Sequence, residues 1–170
     1  MTYPTCESDL MDFLKKHKIE TQTFYHKPVH TVEDAQKARE SMEEGNISGH
    51  CKCLFVRDKK KRRGLIVMDE NKKADLKLIA DQLELGRLSF GSADSLYEIL
   101  GVKPGSVTPF GLINATKRYP DLIIGLDRDM LKNEYLNYHP LHNEATTTIK
   151  TPDLLKFIKL CGYQPITIEI

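Results

Sequence analysis

Apolar positions recur at two different periods along this chain, and the switches between them outline interleaved helices and strands. Leu10, Phe13, Leu14 and His17 recur at helical spacing and predict an amphipathic helix over 6–18. Residues Thr21–Tyr25 alternate and predict a strand. Thr31 followed by Asp34 resembles a capping box and predicts a second helix to about Ala38, with a loop over 43–49. The run HCKCLFVR, 50–57, predicts the most regular strand, and a basic turn over 58–63 with a second strand over 64–68 completes a hairpin. Leu76, Ile79, Ala80 and Leu83 share one face of a helix over 75–83. A short strand over 88–90 and a helix over 92–100 follow, the helix stopping at Gly101.

Further on, 122–127 is continuously apolar, as expected of a strand near the middle of a sheet. The stretch YHPLHNEATTTI, 138–149, joins a histidine-rich turn to a threonine-rich strand. Thr151, Pro152 and Asp153 predict the N-cap and first turn of a last helix ending near Gly162, and 165–170 predicts a closing strand. Helices and strands interleave without strict alternation, and hairpins are present. That pattern predicts an α/β fold on a mixed sheet, not a doubly wound parallel one. No repeat, linker or low-complexity tail interrupts it, so 1–170 reads as one compact domain.

Composition changes little in this picture. The chain has 170 residues, enough for a substantial core. A net charge of +1 does not announce a nucleic-acid binder, although local clusters still can. No apolar run reaches the length of a membrane span, and the N-terminus lacks the basic start and apolar stretch of a signal peptide, which predicts a cytoplasmic protein. Cys51 and Cys53 are spaced wrongly for a CxxC pair, and with Cys6 and Cys161 they read as reduced thiols. No metal site and no cofactor is expected.

The densest chemical signal is GVKPGSVTPFG, 101–111, three glycines and two prolines around Ser106 and Thr108. Proline cannot continue a helix, and glycine reaches torsions closed to other residues. The stretch predicts a shaped loop with exposed amides and hydroxyls, able to grip a small polar group or simply to turn a corner. Lys52 lies on the face of its strand that carries Leu54 and Val56, while Cys51, Cys53 and Phe55 share the other. A lysine among apolar neighbours either reaches to water at the strand end or is a fixed cation aimed at a polarised group. His139 and His142 in HPLHN, with Asn143 behind them, suit acid–base or hydrogen-bonding work. Their HxxH spacing lacks the helical context of a zinc site. His26 and His30, flanking Pro28, read as structural. Lys59, Lys60, Lys61, Arg62 and Arg63, beside Arg57, form the strongest basic cluster, either a solvated hairpin tip or a contact for a phosphate backbone. No GxSxG elbow, Walker loop, dinucleotide fingerprint or carboxylate pair is present.

Three blocks in order carry a family resemblance: CKCLFVRDKKKRRGLIVMD with ADLKLIADQL, then LGVKPGSVTPFGLIN, then HPLHNEATTTI with TPDLLKFIKLCGYQPITIEI. Together they resemble the YbaK/ProX family, relatives of the editing insertion domain of bacterial prolyl-tRNA synthetase. SVTPFG and HPLHN are more similar to the alanyl-tRNA(Pro) deacylases than to the cysteinyl branch. The resemblance implies a mixed, strongly curved, barrel-like sheet surrounded by helices, and hydrolysis of the ester between a wrong amino acid and the terminal adenosine of tRNA(Pro). A pocket shaped for proline rejects smaller alanine by only about 1–3 kcal/mol, so a second sieve is needed.

By that resemblance Lys52 falls on the family's essential lysine. Gly105, Ser106, Val107, Thr108, Pro109 and Gly111 match the loop around the aminoacyl group, His139 matches the histidine beside it, and Asn143 supports the HP turn. The tRNA's own 2′-hydroxyl assists in this family, which suits the missing carboxylate base. Aminoacyl-tRNA(Pro) is the implied partner, with prolyl-tRNA synthetase or a synthetase complex as a further candidate. One departure is Cys53, where the family often has asparagine. It leaves open a non-catalytic tRNA-binding module of the same fold. A redox protein using Cys51 or Cys53 would require a depressed thiol pKa.

Overall fold

The computed structural model describes residues 3–28, Glu33 and 48–170. Helix α1 (Glu7–Lys16) leads to β1 (Thr21–Tyr25), and β2 (Ser48–Arg57) turns back into β3 (Arg63–Asp69). Then come α2 (Leu76–Gln82), the two-residue β4 (Ser89–Phe90), α3 (Ala93–Leu100) and the short α4 (Leu112–Ala115). The chain closes with β5 (Ile123–Asp127), β6 (Tyr135–Tyr138), β7 (Ala145–Lys150), α5 (Thr151–Leu160) and β8 (Ile166–Ile168). The helix expected over 31–38, and His30, lie outside the described residues. So does most of the loop expected over 43–49, whose last two residues, Ser48 and Gly49, belong instead to β2.

These strands form one mixed sheet in the order β1-β7-β6-β2-β3-β5-β8, with β4 added to β2. The long strand β2 joins the two halves. Its first three residues run parallel to β6, and its remaining seven pair antiparallel with β3. Buried Asn137 clamps the parallel junction, its Nδ2 donating to the Gly49 carbonyl at 3.0 Å while Oδ1 accepts from Thr148 Oγ1.

Two cores flank the β2–β3–β5 region. Phe55, Leu65, Val67, Ile124 and Leu126 face the larger one, which α1, α3, α4 and α5 cover. Val56, Ile66 and Met68 face the smaller one, beneath Ile79, Ala80 and Leu83 of the α2 region. The alternation read in β2 therefore holds, because each of its faces meets a separate apolar layer. Phe110 stitches the larger core together, its ring centroid 5.5 Å from that of Phe157 and 6.1 Å from that of Tyr138.

Elsewhere the structure departs from the pattern. Strand β6 was not legible: it has four residues, two tyrosines and an asparagine, and becomes a strand by pairing on both sides. The apolar strand β5 lies next to the sheet's edge strand, β8, and not at its middle; helices on both faces keep it dry all the same. Thr151 is not the N-cap of the last helix. Lys150, the final residue of β7, takes that place, and the Thr151 hydroxyl donates to the Asn133 carbonyl instead.

Candidate active site

The expected loop begins where α3 ends. Gly101 takes φ +68°, and Asn114 fills the space beside its Cα, where a Cβ would fall 2.4 Å from Asn114 Nδ2. That amide donates to the Leu100 carbonyl, and Asn114 Oδ1 accepts from Thr5 N, both at 2.9 Å. One buried side chain thus ties the helix end and the N-terminal segment to the loop. Lys103, Pro104 and Gly105 are exposed, and the chain then dives inward. Ser106 is 5% exposed and Thr108 is fully buried, so the hydroxyls expected at the surface are mostly inside. Thr108 Oγ1 accepts from Phe110 N and caps the 3₁₀ turn Pro109–Gly111. The cause is Phe110, whose ring anchors in the larger core and draws 106–111 with it. Among the described residues, no hydrogen bond, ion pair or ring contact joins this loop to Lys52 or His139.

The sheet register sets Lys52 and His139 on one face. His50 pairs with Asn137 where β2 and β6 run parallel. Two residues further along each chain, Lys52 and His139 lie on the same face. Asn137 pairs across β7 with Thr148, and Thr146 lies on that face too. His26 Nε2 sits 2.8 Å from Thr146 Oγ1, and the His26 and His139 rings are 6.5 Å apart. A polar surface of histidines, threonines and one lysine thus adjoins the smaller core. Lys52 is half-buried, and its ammonium has no hydrogen-bond or ion-pair partner among the described residues.

His139 Nδ1 lies 3.0 Å from the Ala145 carbonyl. A carbonyl only accepts, so Nδ1 carries the proton of the neutral ring and Nε2 keeps its lone pair. Burial holds this imidazole below its ordinary value of 6.5; His26 and His142 add to the effect, and the Ala145 carbonyl opposes it. His142 is committed elsewhere, with Nε2 3.0 Å from Glu7 Oε1 and Nδ1 accepting from Glu144 N. It fastens the HPLHN bend to the first turn of α1. Asn143 lies in that bend and is itself engaged.

The remaining candidates separate from this face. Cys51 and Cys53 pack against the larger core, opposite Lys52. Burial pushes Cys51 up to about 12 and Cys53 well above its ordinary value, the reverse of what a redox thiol requires. The basic hairpin stands at the far end of β2. There Arg62 is spent on buried Asp58, which also accepts from Lys60 N, Arg62 N and Gly86 N. Sequence reasoning missed Asn137 and treated His26 as structural. Neither carried a signal before β6 was known to be a strand beside β2.

Among the described residues, no helix is long and apolar enough to cross a membrane. Residues 26–157 match the model of the aminoacyl-tRNA editing domain. The prolyl-tRNA editing protein ProX of Acetoanaerobium sticklandii is 32% identical over 92% of this chain and 93% of its own. The prolyl-tRNA synthetase associated domain-containing protein 1 of Danio rerio is 31% identical over 95% of this chain and 85% of its own. A solved structure described as a candidate trans-editing enzyme for prolyl tRNA synthetase superposes with a TM-score of 0.67 over 100% of this chain and 99% of that one, at 19% identity.

Proposed function

The chain belongs to the aminoacyl-tRNA editing domain family, and we propose that residues 1–170 act as one deacylase domain on mischarged tRNA(Pro), with alanine as the amino acid removed. The observation that carries this reading is the shared face of Lys52 and His139: a cation without an ion-pair partner among the described residues, and an imidazole with a free lone pair. In the reaction, water adds to the ester carbonyl, the bond to the ribose oxygen breaks, and that oxygen takes a proton as the amino acid departs. Lys52 supplies positive charge where the carbonyl oxygen or the terminal phosphate becomes most negative. Neutral His139 accepts a hydrogen bond through Nε2 from the attacking water or from the vicinal ribose hydroxyl.

The loop residues Gly105, Ser106, Val107, Thr108, Pro109 and Gly111 belong to this proposal as substrate contacts by the family resemblance alone, since Phe110 seats that loop against the larger core, and Asn143 as a support of the HP turn. Lys59, Lys60, Lys61 and Arg63 extend the surface available to tRNA. The partner is aminoacyl-tRNA(Pro) in the cytoplasm, delivered by prolyl-tRNA synthetase. Cys53 does not weaken the reading, since its thiol turns into the larger core and away from Lys52. The alternative, a binding module without turnover, therefore has no observation of its own.

The test is release of amino acid from tRNA(Pro) charged with alanine, serine or cysteine, by wild type and by Lys52→Ala. Alanine release by wild type, lost in the variant, is expected. Release at the uncatalysed rate by both proteins, on every substrate, overturns the enzymatic reading.

A further inference from the structure

At the tip of the β2–β3 hairpin lies a cleft of about 280 Å³, walled on one side by Lys61, Arg62 and Arg63 and on the other by Arg118 and Tyr119. Its charge is lopsided. Arg62 is neutralised by Asp58, but among the described residues no carboxylate lies within ion-pair distance of Lys61, Arg63 or Arg118. One carboxylate, Asp121, faces these three cations.

Two features fix how this charge is presented, the backbone under Lys61 and the guanidinium of Arg118. Lys61 sits at φ +62°, a left-handed conformation where glycine or asparagine is the usual occupant, and its amide is locked to the Asp58 carbonyl at 3.0 Å. A bulky cation kept at such a position points from strain towards function. Arg118 lies with its guanidinium carbon 4.2 Å from the centroid of the Tyr3 ring and 5.2 Å from that of Tyr119, and donates to the Asn114 and Glu98 carbonyls. The planar fork is thus pre-oriented by rings and carbonyls that leave its charge unneutralised.

We propose that this cleft is a second tRNA contact, remote from the ester, which clamps the sugar–phosphate backbone between Lys61 and Arg63 on one side and Arg118 on the other. The proposal rests on the deacylase reading for the identity of the nucleic acid, but not for the existence of the contact. Arg63 pairs with Arg57, five residues along β2 from Lys52 and, by strand alternation, on the opposite face. The cleft therefore contacts a part of the tRNA other than the acylated end. Phosphate contacts position a nucleic acid without reading its sequence, so the cleft supplies affinity and register while the Lys52 face supplies chemistry.

The experiment measures binding of uncharged tRNA(Pro) to the full chain from 50 to 200 mM salt. Wild type, Lys61→Glu/Arg63→Glu, Arg118→Gln and Lys52→Ala are compared, with polyglutamate as competitor. The double variant is expected to bind at least tenfold more weakly, with a log–log salt slope shallower by roughly 2. Arg118→Gln should show the same trend with a slope shallower by roughly 1, which keeps the test decisive if the double variant fails to fold. Equal affinity and equal slope in both groove variants overturn the proposal, whatever Lys52→Ala does. Displacement of tRNA by polyglutamate at equal charge concentration also overturns it, by assigning the cleft to an acidic protein. If wild type hydrolyses no mischarged tRNA while the groove variants still lose tRNA, the clamp stands and the deacylase reading alone falls.

Discussion

Lys52 and His139 each stand two residues beyond the paired positions His50 and Asn137 on neighbouring parallel strands, and so project from the same face of the sheet. Their common face is set by strand register and not by nearness in sequence. Their relative placement therefore depends on the Asn137 clamp that joins β2 to β6.

The histidine should set an acid limb. Burial lowers the His139 pKa, so the neutral form with a free Nε2 persists below the ordinary value of 6.5. The pH profile of kcat/KM for deacylation should then fall only at a pH below 6.5. His139→Gln should reduce kcat by about 100-fold, the lower end of what a positioned proton acceptor contributes. For stability the sign is fixed by linkage. The unfolded chain binds the proton more readily, so stability is full above 6.5 and declines as pH falls below it, levelling off under the folded value. Urea midpoints of wild type and His139→Gln between pH 5 and 8 should diverge on that limb, and parallel curves would refute the assignment.

Gly101→Ala should destabilise the protein by on the order of 1–3 kcal/mol, since φ +68° is costly for alanine. Its Cβ would also displace Asn114 and with it the bonds to Leu100 and Thr5. Asn114→Ala, measured alongside by thermal melting, should reproduce part of the loss, and the two effects should not add.

Thiol labelling distinguishes the buried and half-buried cysteines from the exposed one. Cys6 is exposed, whereas burial pushes Cys51 and Cys161 up to about 12 and Cys53 well above its ordinary value. Mass spectrometry after brief iodoacetamide treatment of the native protein should find Cys6 modified and the other three intact. Rapid labelling of Cys51 or Cys53 would reopen a redox role.

Asp58→Asn should lower the melting temperature and loosen the hairpin that presents Lys61 and Arg63. Burial pushes the Asp58 carboxyl up, but the amides of Arg62 and Gly86 and the Arg62 guanidinium outweigh it and hold the group below its ordinary 3.8. The stabilisation is therefore full above about pH 3.8 and is lost as pH falls through the lowered value. Acid unfolding of wild type and Asp58→Asn should converge at the acid end of the titration.

Much of this was legible in the sequence, for identifiable reasons. HCKCLFVR showed its strand, and the opposite facing of Lys52 and Cys53, because both faces of β2 meet apolar layers and alternation survives. Gly101 gave away the end of α3 because only a left-handed cap fits there. The sharing of a face by Lys52 and His139 was hidden, since it needs β6, and YLNY is too short and too polar to announce itself. Burial of Ser106 and Thr108 was hidden as well. A Gly-Pro loop looks solvent-exposed until the destination of Phe110 is known.

The joining of β1 to β7 also constrains the order in which this chain takes shape. Thr23 and Thr147, hydroxyl to hydroxyl at 2.8 Å, are 124 residues apart, whereas the β2–β3 hairpin closes over a five-residue turn. During synthesis the hairpin can form while most of the chain is still inside or behind the ribosome, but β1 has no partner until β7 emerges near the end. The edge strand nearest the face of Lys52 and His139 is thus paired last. A nascent chain shows its basic hairpin well before β1 and β7 pair beside Lys52 and His139.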